Sequence, residues 1–218
     1  MRIPTLSLLC LIVPLSACWS TNDHLGEDLS AQAYKGREMA FHALSEVFTS
    51  EESIERSQSL AALQVEFREL ALLFPFDADV KAALGALLFD GGDRFNSRSQ
   101  LSEAIRLEPG HVSAATLLTR LLAEEGDLVG ARAVIETARL FHPRDTELLL
   151  AYAQIASLDG DSVSALALLD QALAAGAEPW RVALDRSYVL EFAGEPKAAR
   201  EEMLRAQALS PKELQTPQ

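Results

Sequence analysis

The sequence predicts an all-α chain, a solenoid of stacked helix-turn-helix pairs, and three observations carry that prediction. Gly92, Gly126, Gly160 and Gly194 recur every 34 residues, each followed by an acid: Asp93, Asp127, Asp161 and Glu195. Pro75, Pro109 and Pro143 keep the same spacing in the same frame, and Pro211 closes the last unit. Small residues are registered too, with Ala131, Ala165 and Ala199 five places after each glycine and Ala138, Ala172 and Ala206 seven further on. A bundle that is merely rich in Ala and Leu has no reason to register four Gly-acid pairs.

Each position of the frame has a physical task. Glycine takes positive φ without penalty and so ends the first helix of a pair. The acid after it can accept from the free N–H groups that open the second helix, and Pro196 suits a first helical position. Alanine lets the two helices approach where Leu would hold them apart. Proline, placed one position past the second helix, stops it and turns the chain into the next unit.

Two helices in a fixed period of 34 residues, with these glycines, alanines and prolines, resemble the tetratricopeptide repeat, and that resemblance implies a right-handed α-solenoid. Leu84-Gly85 matches the Leu-Gly of that family's pattern, whereas the other units keep only Leu118 or Tyr152, and Arg186 departs from it. The resemblance covers four units across 78–211: Ala78–Pro109, Val112–Pro143, Thr146–Ala177 and Trp180–Pro211. In the third unit Gly176 is the expected C-cap, and the proline is displaced to Pro179.

Taken in order, residues 1–17 read as a bacterial signal peptide, with one arginine before an apolar run too short to span a bilayer. The run ends in Leu15-Ser16-Ala17-Cys18, which resembles the lipobox, and that resemblance implies a lipid-modified Cys18 at the mature N-terminus. Several acyl chains hold a protein on a membrane effectively permanently, where one would be marginal. Trp19, not Asp, follows the cysteine, which by the enteric sorting rule implies the outer membrane, with the chain facing the periplasm. With Cys10 removed, Cys18 would be the only cysteine, leaving no intrachain disulfide.

Residues 18–30 read as the lipidated cysteine and a polar tether without a period. Residues 31–75 read as a degenerate N-terminal repeat. Its first helix is expected over Ala31–Phe48, Ser50 is a candidate N-cap, and a second helix with the stripe Leu60, Leu63, Phe67, Leu70 and Phe74 ends at Pro75. Gln58 stands where the glycine should be, as suits an atypical terminal unit. Residues 212–218 form a short tail. The last helix would carry Met203, Ala206 and Leu209 with no solvating helix after it, an apolar face open to self-association.

The formal net charge is −13, which repels phosphate backbones and anionic headgroups, so nucleic acid is excluded as a general partner. No nucleotide-binding, nucleophile-elbow or metal-ligating spacing is present. His24, His42, His111 and His142 fall in a tether, on one helix face and in two inter-repeat turns, where solvation or packing explains them. The sequence predicts no enzyme, no metal and no cofactor.

What remains is a groove. The resemblance implies that positions two, five, nine and twelve of each unit point inward. Position nine gives Ala86, Arg120, Gln154 and Tyr188, and position five gives Ala82, Thr116, Leu150 and Leu184. Phe89 adds a ring from position twelve, and Arg181 a charge from position two. The Lys and Asn set with which the chaperone-binding branch clamps a terminal carboxylate is absent. This mixed surface suits an amphipathic helix or extended peptide, with Arg120 offered to an acidic segment. Signal, lipobox and repeats together resemble lipoproteins of pilus and secretin assembly, of the tight-adherence (Flp) or type IV pilotin kind. The function expected is a lipid-anchored protein-binding scaffold. The alternative is an adaptor that docks a peptidoglycan hydrolase or an outer-membrane assembly factor.

Overall fold

The computed structural model describes residues 20–49 and 53–211, so the signal segment, Cys18, Ser50 and the tail lie outside the described residues. The chain divides into two units, 1–50 and 51–218. In the first, a single helix α1 runs Ser20–Thr49. It begins eleven residues before the expected start at Ala31, so the stretch read as an irregular tether is helical. Only Gly26 interrupts that stretch, and one interior glycine costs about 1 kcal/mol against Ala, too little to stop a long helix. Arg37 stacks over the Phe41 ring at 4.8 Å within it.

The second unit opens with α2 (Ser53–Leu73) and continues as four helix pairs. These are α3 (Ala78–Asp90) with α4 (Arg94–Leu107), and α5 (Val112–Glu124) with α6 (Leu128–Phe141). They are followed by α7 (Thr146–Leu158) with α8 (Ser162–Ala175), and α9 (Pro179–Phe192) with α10 (Pro196–Leu209). Among the described residues there is no strand, and no helix is long and apolar enough to cross a membrane. The four pairs start and stop where the repeat frame places them.

The turns show why. Gly92, Gly126, Gly160 and Gly194 have φ between 78° and 83°, and Gly176 follows α8 at φ 104°. At each of the four, the next residue's N–H reaches back five residues, as Asp127 does to the Leu122 carbonyl at 2.8 Å. These are Schellman ends, which satisfy carbonyls the helix leaves open. Asp93, Asp127 and Asp161 then cap the second helices, accepting from the N–H groups of Asn96, Gly130 and Ser164. Glu195 makes no such bond, a correction to its expected role; Pro196 at the first helical position opens α10 instead. Proline lies two residues past α2, α4, α6 and α10 rather than one.

A second ladder of caps, which the glycine frame does not reveal, opens the first helices. Asp77, His111 and Asp145, again 34 residues apart, accept from Val80, Ala114 and Leu148. His111 does so through Nδ1 at 3.2 Å, so its Nε2 carries the hydrogen and donates to Asp79 Oδ1 at 3.2 Å.

Within each pair the helices cross at two small residues. Gly85 meets Ser97, Thr119 meets Ala131, Ala153 meets Ala165, and Ser187 meets Ala199, all buried. The buried hydroxyls find carbonyls: Ser97 Oγ donates to Gly85 O at 2.8 Å, Thr119 Oγ1 to Ala131 O at 3.4 Å, and Ser187 Oγ to Leu184 O at 2.6 Å. Behind the crossing stands one large apolar residue per second helix: Phe67, Leu101, Ile135 and Leu169, each 0% exposed. Each such side chain contributes about 1.5–3 kcal/mol. Met203 holds the same place in α10 and is only half-buried, since no described helix stacks beyond it.

Neighbouring pairs are also tied by charge. Arg98 of α4 reaches Glu125 at the end of α5, and Arg132 of α6 reaches Asp159 at the end of α7, both at 2.6 Å. Each arginine meets a carboxylate at the negative end of a helix, where an acid alone would be unfavourable.

Candidate partner-binding groove

First helices pack on one another in the series α3–α5–α7–α9, whereas second helices approach only first helices. The first helices therefore form the tighter layer, and a curved stack puts that layer on its concave side. Two clefts open along it. One, of ≈ 320 Å³, lies between α5 and α7 and is lined by Thr116, Arg120, Glu124, Gln154 and Leu158. The other, of ≈ 260 Å³, lies between α7 and α9, with Gln154, Leu158, Asp185, Tyr188 and Phe192 around a floor of Ala153 and Val189. Gln154 and Leu158 belong to both, so the two clefts form one groove with a shared ridge.

The residues expected at the groove divide into three sets. Thr116, Gln154 and Tyr188 line it, and Tyr188 is 52% exposed. Arg120 lines it but is engaged: its Nε donates to Glu124 at 3.1 Å, and its guanidinium stacks over the Phe89 ring at 4.9 Å. Arg94 covers that same ring at 4.0 Å and pairs with Glu124 at 2.6 Å. Phe89 thus lies buried beneath two guanidiniums and offers its partner-facing surface to them, not to a ligand.

Leu150 is a core residue, 3% exposed among Leu149, Leu168 and Val182, and cannot be touched from the groove. Its place on the inward stripe is real, but α9 stacks over it. Leu184 is half-buried and lines neither cleft. Arg181 donates to both carboxylate oxygens of Glu147 at 2.6 and 3.0 Å. That contact holds the Glu147 carboxyl below its ordinary range. Cys18, the expected anchor residue, lies outside the described residues.

Three groove residues escaped the positional reading: Leu158, Asp185 and Phe192. Leu158 and Phe192 occupy position thirteen, one step past the expected set, where the earlier units carry Asp90 and Glu124. Both are exposed, at 48% and 71%. Burial pushes the Asp185 carboxyl up, while the Gln154 amide and the Arg181 charge pull the other way and Glu147 adds to the rise. At the far end of α10, Ala206 is buried, whereas Leu204 and Leu209 are exposed at 58% and 47%. A larger cleft of ≈ 660 Å³ beside the α6–α7 turn is lined by Arg139, Pro143, Arg144 and Gln171. Its walls mix long polar side chains with Leu149, Ala174 and Ala175, and its lining has no aromatic ring to match Tyr188 and Phe192 of the groove.

Among the described residues, no group of three or more His, Cys, Asp or Glu could hold a metal ion. Comparison with curated proteins found no match. Residues 97–155 match the family model of the tetratricopeptide repeat. Among solved structures, the chain is similar to a thermophilic tetratricopeptide protein of Thermus thermophilus, at 18% identity and TM-score 0.66, over 80% of this chain and 93% of that one. MamA of Desulfovibrio magneticus RS-1 is 16% identical at TM-score 0.62, over 85% and 97%. The APC/C hetero-tetramer contains a chain 14% identical at TM-score 0.61, over 71% of this chain and 31% of that one. Such identities establish the fold, and with the 34-residue frame and the match over 97–155 they support the tetratricopeptide-repeat family for this chain.

Proposed function

We propose that this chain is a lipid-anchored scaffold that holds a segment of another envelope protein in the α5–α7–α9 groove and carries out no chemistry of its own. The observation that carries this reading is the groove's exposed apolar rim. Leu158, Tyr188 and Phe192 stand 48%, 52% and 71% exposed around one cleft, on helices that also carry buried residues such as Leu149, Ile155, Val182 and Val189. Large apolar and aromatic side chains gathered in a concavity are what a docked segment would cover. An amphipathic helix or extended peptide fits such a site.

Leu15-Ser16-Ala17-Cys18 supports the anchor, and Trp19 supports an outer-membrane address with the repeats in the periplasm. A tethered scaffold of this architecture suits assembly of a pilus or secretin. Crosslinking the anchored protein in its own membrane tests the groove: Tyr188→Ala with Phe192→Ala should lose partner capture while helical content is unchanged. Capture equal to the parent by that folded variant would end this reading. The anchor has its own test, since Cys18→Ala should block lipidation and leave unprocessed precursor. Labelled fatty acid on that variant would sink the assignment.

A further inference from the structure

The α7–α9 groove carries one carboxylate among its apolar walls. Asp185 lies on α9 one turn before Tyr188 and is half-buried. Among the described residues, no Lys, Arg or His stands within ion-pair distance of it. Its charged neighbours are already matched. Arg181, one turn earlier, is held by Glu147 of α7, and Arg186, the next residue, by Asp170 of α8. From the facing side of α7 come the neutral amide of Gln154 and the Glu147 carboxylate, which opposes a second negative charge.

Half-withdrawal from water disfavours the Asp185 carboxylate, and the charge of Arg181, already held by Glu147, offsets this only in part. Nothing in the fold requires the charge, because an amide of the same shape would fill the space. The chain as a whole, at −13, offers no compensation. Beside Asp185 stand the exposed rings of Tyr188 and Phe192, whose faces attract cations and whose surfaces can pack along a methylene stem. Arg120, the cation expected to meet an acidic segment, lies in the neighbouring α5–α7 cleft, where it and Arg94 share Glu124. The sign of the complementary partner is therefore positive.

We propose that the groove receives a lysine or arginine side chain of the bound segment, with the Asp185 carboxylate accepting its N–H donors between the rings of Tyr188 and Phe192. The segment is thus basic and amphipathic, with an apolar residue for Leu158 next to the cation. This assignment rests on the reading of the groove as the partner site.

The test uses the full-length chain in nanodiscs of zwitterionic lipid, with empty nanodiscs subtracted. Two fluorescent peptides of equal length and leucine content are titrated, one carrying Lys at its polar positions and the other Glu. The Leu/Lys peptide should bind more tightly, and Asp185→Asn should weaken it on the order of tenfold without weakening the Leu/Glu peptide. Asp185→Glu, which keeps the charge, should retain most of the binding. Glu201→Gln, an exposed carboxylate on α10, removes the same charge elsewhere and should change nothing. Equal weakening by Asp185→Asn and Glu201→Gln would overturn the proposal in favour of general attraction to an acidic surface. So would failure of the Leu/Lys peptide to bind better than its Leu/Glu counterpart. Tyr188→Ala separates the two readings. If it abolishes binding while Asp185→Asn is silent, the cation site falls and the groove stands; if both are silent, both fall.

Discussion

Replacing Gly85 by Ala asks whether the helix crossing inside a repeat is set by atoms or merely by composition. A Cβ built on Gly85 would lie 2.7 Å from both Cγ and Cδ2 of Leu101 and 3.4 Å from the Leu101 backbone nitrogen. Leu101 is 0% exposed and has no free space to swing into. Overpacking of this kind costs about 1–3 kcal/mol. Ala within a helix returns roughly 0.5–1 kcal/mol relative to Gly, so a net loss of about 0.5–2 kcal/mol is expected. For an array of this size, each kcal/mol moves the melting midpoint by about 2–4 °C. Far-UV circular dichroism during heating should show Gly85→Ala melting below the parent. The decisive arm is a double variant. Leu101→Ala alone should cost about 2–5 kcal/mol, but Gly85→Ala added to it should raise the midpoint, since the obstructing atoms are gone. A Gly85→Ala protein at least as stable as the parent, or one destabilised equally in both backgrounds, would refute the close-contact account.

Ala165→Leu should be destabilising by about 1–3 kcal/mol because Ala165 is wholly buried at its crossing, whereas Ala167→Leu, on the exposed face two residues on, should barely shift the melt. Asp127→Ala removes a 2.8 Å cap on Gly130 N and should cost about 1 kcal/mol, while Glu195→Ala, which caps nothing, should not. Asp185 has a raised folded pKa, so its ionisation opposes folding, and stability falls as pH rises through that value. Asp185→Asn should therefore melt above the parent at neutral pH, with the difference closing as pH falls below the ordinary carboxylate range. A lower melt at neutral pH would contradict that sign.

Local signals were the ones legible in the sequence. Gly126 and Asp127 act on each other and on the next turn, so their meaning survives without knowing what the helices touch, and the starts of α4, α6, α8 and α10 follow from such pairs. Glu195 kept the pattern but not the bond: Glu is a weaker N-cap than the short acid, and proline at the next position already fixes the entry. His111 hid a cap because a ring nitrogen is an unusual acceptor there, although its place midway between Asp77 and Asp145, one 34-residue step from each, could have exposed it. Leu150 and Arg120 were read onto the correct face, yet position on a face does not say what stacks over it. The α9 helix decided one, and Glu124 with Phe89 decided the other. Asp185 carried no positional signal at all; its importance comes from its place in the cleft beside an arginine already held by Glu147, which only coordinates reveal.

The arginines that join neighbouring helices have a consequence beyond the few tenths of a kcal/mol that exposed pairs contribute. Arg94, Arg98, Arg132 and Arg181 each meet a carboxylate carried by a neighbouring helix or its cap, so much of the positive charge is cancelled at short range. The field that reaches solvent is therefore set by the unmatched acids. A positively charged segment would be drawn in before any contact forms, and encounter would slow steeply as salt shortens the screening length. Release would depend instead on the apolar rim, which salt does not screen, so ionic strength would act on how often the two meet more than on how long they stay together.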